Sequence, residues 1–198
     1  MFINKLRGIW YKLEGIDSLD INESLITGYI DFQDGYRLPC TISSYNEVES
    51  GTYVEVEGYI QTVKISDKLF SFFYSISIKE LLSFPECTFR NDYVLEGKLI
   101  TDEYERINEH VGNLYLKFKV FYSTYHEFNT VVHGLAENDL ARILYRLYGN
   151  VKLLGSIMCM GGPITFHLTK ILSVNGVVFE GLGKLDSKSL RTLRNIHH

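Results

Sequence analysis

The chain has 198 residues, of which 45% are hydrophobic and 22% charged, and its net charge is −4 at pH 7; that is the make-up of a soluble globular protein and excludes a disordered or low-complexity chain. No apolar run reaches the roughly 18 residues a membrane span needs, and Lys5, Arg7 and Lys12 interrupt the first 16 residues, so neither a span nor an export leader is expected. Cys40, Cys87 and Cys159 are isolated, with no Cys-x-x-Cys pair, which excludes a disulfide framework or a zinc knuckle and fits a reducing, cytoplasmic compartment.

The charge is unevenly spread. Residues 1–88 hold 7 Lys and Arg against 13 Asp and Glu, whereas residues 89–198 hold 13 against 11, and Lys184, Lys188, Arg191 and Arg194 crowd the last fifteen. A polyanion would meet the second half first. Fourteen Tyr and twelve Phe with only three Pro favour strands.

In chain order, Phe2, Leu6, Ile9, Trp10 and Leu13 are spaced as one face of an amphipathic helix. Strands are predicted over residues 25–32, 36–44, 53–63 and 70–78, with Gly35 and Gly51 as turn residues. The second half begins with a strand around residues 94–99, a loop near 101–112 and an alternating strand over 114–125. An added strand follows over 128–133, then a helix over 139–148 with Leu140, Ile143, Leu144 and Leu147 on one face, Asn138 as N-cap and Gly149 as stop. A glycine-centred strand and a further alternating strand come next, with Gly161-Gly162-Pro163 read as a turn. Asn175-Gly176 makes a tight hairpin into residues 177–181, and Leu190, Leu193 and Ile196 suggest a short terminal helix.

Two segments repeat. Val54 to Ile60 parallels Val151 to Ile157 around Gly58 and Gly155, and Leu25 to Ile30 resembles Val94 to Leu99 around Gly28 and Gly97. Self-similarity of this kind predicts two copies of one unit. About five strands per copy, with a helix between the third and fourth, is the order of an OB-fold barrel. The expected architecture is therefore mainly β: two five-stranded Greek-key OB-fold barrels in tandem with short helices. The first spans residues 1–88, the second 89–183, and a basic tail 184–198.

The most informative run is Leu114 to Tyr122. Alternation puts Leu114, Leu116, Phe118 and Val120 on one face and Tyr115, Lys117, Lys119 and Phe121 on the other. A strand that buries aliphatics while presenting aromatics around lysines offers stacking surfaces and phosphate partners together. Lys98 on the first strand of the same unit and Lys152 on the fourth project to the same outer side if those strands pair. The alternative for each is a solvated surface lysine, which also protects strand edges.

The first unit argues the other way. Its fourth strand turns Glu55, Glu57 and Tyr59 outward, where two carboxylates repel phosphate, and the row Phe70, Phe72, Tyr74, Ile76 and Ile78 reads as buried core opposite Leu69, Ser71, Phe73, Ser75 and Ser77. Tyr29, Arg37 and Tyr45 are the remaining outward candidates. Catalytic chemistry is not expected: there is no phosphate-binding glycine loop, the histidines lack metal-ligand spacing apart from His197 and His198, and Asp102, Glu103, Glu105 and Arg106 read as a solvated loop. No cofactor or metal is implied.

From residue 93 to 174 the chain resembles the bacterial-type single-stranded DNA-binding protein family and its relative primosomal replication protein N. The likeness rests on Glu127 to Glu137, the helix after it, and Asn150 to Ile157, which match that family's aromatic third strand, its entry to the helix and its Val-x-x-x-Gly fourth strand. The resemblance implies an OB-fold that binds single-stranded DNA, self-association, replication proteins as partners, and Phe128 as the aromatic that stacks on bases. The family's acidic tail is absent: this chain ends in a basic segment, Leu190 to His198, so partner recruitment by that route is not expected. The sequence thus points to a non-enzymatic single-stranded DNA-binding protein of replication, recombination or DNA transfer, with RNA as an equivalent ligand by chemistry. A protein-interaction adaptor without DNA binding of its own is the alternative from another class.

Overall fold

The computed structural model describes residues 3–13, 25–33, 36–65, 67–82, 88–110, 113–122, 130–159 and 163–179, and only the backbone of 65, 101–110, 113–115 and 122. Phe128, Cys87, Gly35, the Gly161-Gly162 turn and everything from residue 180 onward, including the expected terminal helix, lie outside these residues. The architecture is mainly β with a closed barrel. β1 (Asn4–Lys12), β2 (Leu25–Asp31), β3 (Arg37–Ser43), β4 (Tyr53–Ile65) and β5 (Lys68–Glu80) close in the order β1-β2-β3-β5-β4, with a 3₁₀ turn at Ser44–Asn46 after β3. β1 is antiparallel to both β2 and β4, and β3 runs parallel to β5.

The second sheet comprises β6 (Tyr93–His110), β7 (Asn113–Tyr122), β8 (Thr130–Glu137), β9 (Gly149–Met158), β10 (Thr165–Val174) and β11 (Val177–Val178), with helix α1 (Asn138–Leu144) between β8 and β9. Its order is β11-β10-β8-β7-β6-β9, and β9 pairs with β10 as well. The scheme of the first unit recurs here: β6 is antiparallel to β7 and β9, and β8 runs parallel to β10.

The amino-terminal segment is a strand, not the expected helix. Asn4, Leu6, Gly8 and Trp10 are buried while Lys5 is exposed and Arg7, Ile9 and Tyr11 are half-buried, a period of two. The glycine at the third inward position leaves a gap in the apolar row, and the surviving Leu6, Ile9, Trp10 and Leu13 happen to be spaced as a helical face.

This strand also corrects the repeat. Gly58 and Gly155 do correspond: a Cβ on Gly58 would lie 2.0 Å from the Tyr74 carbonyl oxygen, and one on Gly155 2.2 Å from that of His167, so each glycine admits the neighbouring backbone to its strand. Gly28 and Gly97 do not, because Gly28 is in the second strand of its unit and Gly97 in the first strand of the other. The counterpart of Gly97 is Gly8. Gly8 lies opposite Val54 as Gly97 lies opposite Val151.

Three further expectations change. Residues 101–110 are strand, not loop: β6 continues as one arm of a long hairpin, and past Leu99 its only partner among the described residues is β7. β8 runs through to Glu137, so the helix is shorter than expected. Glu137 is the N-cap, Asn138 takes a φ of 53°, and Gly149, at φ 90°, opens β9 after a turn. On β5 the predicted faces are not kept. A register shift at Glu57 and Gly58 lets Phe73 enter the core while Ile76 is exposed, and Phe72 and Tyr59, expected outward on β4, are buried outside the main core. The Asn175-Gly176 hairpin is present, with both residues at positive φ.

One contiguous buried cluster joins the units. Tyr93, 1% exposed, sets its ring edgewise to Phe73 at 6.5 Å and to Phe166 at 6.4 Å, and Phe166 meets Phe118 in the same way. The Asn4 side chain bonds both backbone groups of Val94, accepting from its N–H at 2.6 Å and donating to its carbonyl at 3.1 Å, and Arg7 and Arg90 exchange backbone hydrogen bonds. Cys40 and Cys159 are buried thiols, and burial pushes Cys40 well above the ordinary thiol range. No helix of the described residues is long and apolar enough to cross a membrane.

Candidate nucleic-acid interface

Strand alternation sets the site. On β7, Leu116, Phe118 and Val120 are inward and fully buried, which forces Lys117, Lys119 and Phe121 outward, Lys117 exposed and the other two half-buried. On β6, Leu95 and Leu99 are buried and Lys98 is exposed. β6 and β7 pair, as the shared face requires, and place Lys98 directly opposite Phe121.

Lateral rows then cross the outer face. Asn150, Lys98, Phe121 and Val131 form one row, from β9 through β6 and β7 to β8. Ile100, Lys119, His133 and Thr165 form the next, and Glu105, Lys117, Leu135 and His167 the third. The face therefore sets cations among ring and aliphatic surface over about three strands, with the carboxylate position Glu105 opposite Lys117. Tyr115 occupies the next outward position of β7, opposite Glu137, although its side chain is not described. Phe128 lies outside the described residues.

Lys152 shares the face but is engaged. It stands opposite Glu96 with Nζ 3.6 Å from the carboxylate. His167 Nε2 is 3.3 Å from Glu137 Oε1. His133 was not singled out by sequence reasoning, nor was His167; once β8 is extended to Glu137, alternation from Val132 and Gly134 would have put His133 outward.

The first unit is differently finished. Glu55 and Glu57 do face outward, but Arg7 Nε holds Glu55 at 2.8 Å and Lys5 pairs with Glu57. Lys12 holds Glu47 at 2.8 Å, and that lysine lowers the acid's pKa. Tyr29 is outward as expected, yet Tyr11 stacks on it at 5.2 Å and the Arg37 guanidinium lies 4.8 Å from its centroid, itself 3.5 Å from Asp31. Tyr29 is thus flanked by a ring and a cation of its own chain. Tyr45 is 90% exposed and stands apart on the 3₁₀ turn. The two sheets' equivalent cross-strand pairs carry opposite polarity: Arg7 with Glu55 in one, Glu96 with Lys152 in the other.

No group of three or more His, Cys, Asp or Glu among the described residues is placed to hold a metal ion. No protein-family model matches the chain, and no curated protein sequence matches it. Solved structures do. The wild-type single-stranded DNA binding protein from Thermus aquaticus superposes with a TM-score of 0.67 at 12% identity, covering 91% of this chain and 95% of that one. A deletion mutant of the same protein gives a TM-score of 0.64 at 11% identity, covering 93% and 97%. Across nearly its whole length, this chain has the fold of a bacterial single-stranded DNA binding protein.

Proposed function

We propose that the chain is a tandem of two OB-fold barrels, residues 1–88 and 89–183 followed by the basic tail 184–198, that binds single-stranded DNA with little sequence preference through the outer face of the second barrel. The observation that carries this reading is the convergence of Lys98, Lys117, Lys119 and Phe121 on paired outward positions of β6 and β7. Lysines at this density displace counterions from phosphates, and Phe121 offers a ring face on which any base stacks, a part that Tyr115, farther back along β7, and Phe128 would share. Lys152, held by Glu96, takes a lesser part. The repeated pairing scheme of the two sheets supports the tandem, and the likeness to the Thermus aquaticus protein supports the ligand class.

The first barrel acts as platform: Glu55, Glu57 and Glu47 are held by its own Arg7, Lys5 and Lys12, and its acids still outnumber its cations, so it does not collect phosphate. The chain would protect or organise exposed strands in replication, recombination or transfer, working as a homo-oligomer beside replication proteins. A sedimentation mass equal to the monomer's would remove the oligomer from this reading.

The test is fluorescence anisotropy of a labelled oligo-dT at two salt concentrations, with the full chain and with Lys117→Ala/Lys119→Ala. Salt-sensitive binding that the double variant loses supports the site. Absence of binding to dT and to mixed single strands at low salt overturns it and turns the search to a protein partner.

A further inference from the structure

His133 stands directly across from Lys119, a proposed ligand of phosphate, on the outer face of the second sheet. It is exposed on β8, opposite Lys119 of β7 and Thr165 of β10, one row from Lys98 and Phe121 and one row from Lys117. The charged and titratable groups around it are known strand by strand among the described residues. β7 contributes Lys117 and Lys119, β10 contributes His167, and β8 itself contributes Glu137, which His167 already holds at 3.3 Å. Helix α1, packed against β7, β8 and β10, carries Asp139 and Arg142, bonded to each other at 3.3 Å. His133 therefore sits on the cationic side of the face, away from the one carboxylate on its own strand.

Desolvation by its neighbours, and then the charge of Lys119, hold the His133 imidazole below its ordinary range, which favours the neutral form in the unbound protein. A phosphate seated between Lys119 and His133 reverses the electrostatics. It screens the lysine and offers an anionic acceptor, which favours the imidazolium.

We infer that His133 is a further nucleic-acid contact that takes up a proton when a strand's phosphate occupies the space beside Lys119, making strand binding proton-linked. This rests on the reading above that the outer face of β6, β7 and β8 binds single strands. The sign follows from linkage. The bound state holds more protons than the unbound one, so affinity rises as pH falls through the interval between the two histidine pKa values and is flat well above it.

Isothermal titration calorimetry of the full chain with oligo-dT tests this, run at fixed ionic strength and one pH near 6.5 in buffers of different ionisation heat. The slope of observed heat against buffer heat counts protons. A net uptake is expected, with affinity about three- to tenfold higher at pH 6 than at pH 8, a tenfold change corresponding to one pKa unit. His133→Gln should abolish the uptake and with it the rise in affinity from pH 8 to pH 6; His167→Gln should leave the uptake in place. Because His133 is exposed, an unchanged unfolding midpoint is expected for His133→Gln and serves as the folding control. Binding without proton uptake, or uptake that survives His133→Gln, overturns the inference and leaves the binding site standing. No binding in any buffer overturns the functional reading and this inference with it.

Discussion

The phenolic oxygen of Tyr93, at the start of β6, accepts the backbone amide of Ile60 in β4 at 3.1 Å, both residues being buried. This bond crosses from one unit to the other beside the ring contacts to Phe73 and Phe166, so a single side chain gives the junction both apolar area and direction.

Tyr93→Phe keeps the ring and deletes the oxygen. Unfolding by denaturant should remain one transition, destabilised by about 0.5–1.5 kcal/mol, the net worth of an ordinary intramolecular hydrogen bond. Two separated transitions in the wild-type chain would show that the units unfold independently and that the junction couples nothing.

Gly58→Ala and Gly155→Ala test the repeat. Each Cβ would meet a carbonyl oxygen of the adjacent strand at 2.0 Å and 2.2 Å respectively, and a backbone cannot swing away as a side-chain tip can. Losses of about 1–3 kcal/mol, of similar size at the two positions, are expected from overpacking. A neutral result at one position alone would mean that the two glycines are not structural equivalents.

The lysines are separable from the rings by salt. Removing Lys117 and Lys119 should reduce the slope of log affinity against log salt by about 1.4, at roughly 0.7 per phosphate contact on single strands. Phe121→Leu should instead weaken binding at every salt concentration with the slope unchanged, because stacking releases no counterions. An unaltered slope in the lysine double variant would place the phosphate path elsewhere on the chain.

Glu96 restrains Lys152 at 3.6 Å. Glu96→Gln should therefore raise affinity for oligo-dT about two- to fivefold at low salt, the equivalent of an exposed ion pair worth up to about 1 kcal/mol. Glu55→Gln, the matching change on the first sheet, should leave affinity unaltered. Equal gains from both would show that the strand also follows the first sheet.

What the sequence disclosed was governed by how cleanly each strand separates two environments. β7 was legible because Leu116, Phe118 and Val120 alternate with Lys117, Lys119 and Phe121 without a break, and its neighbour Lys98 followed from Leu95 and Leu99 in the same way. β1 was misread because glycine at the third inward position contributes no apolar signal, and Tyr11, the stacking partner of Tyr29, was lost with it. The far half of β6, residues 101–110, was read as a loop because a segment paired on one edge only has no core to impose alternation on its sequence. β5 misled for a different reason. The register shift at Glu57 exchanges the faces partway along the strand, and no periodicity that assumes a regular pleat can register it. Lys152 was correctly placed outward, but its pairing with Glu96 depends on strand order, which composition does not carry.

The opposite polarity of the two equivalent pairs, Arg7 with Glu55 and Glu96 with Lys152, bears on how a chain containing two copies of one unit avoids confusing them. Units that share one pairing scheme are prone to misassembly while folding. Were β1 to settle on β9 in the same register, Arg7 would face Lys152; were β6 to settle on β4, Glu96 would face Glu55. Both hybrids set like charges directly across from each other, and only the correct partition brings every one of the four to an opposite charge. The reversed polarity of these two pairs thus also labels each first strand with the sheet to which it belongs.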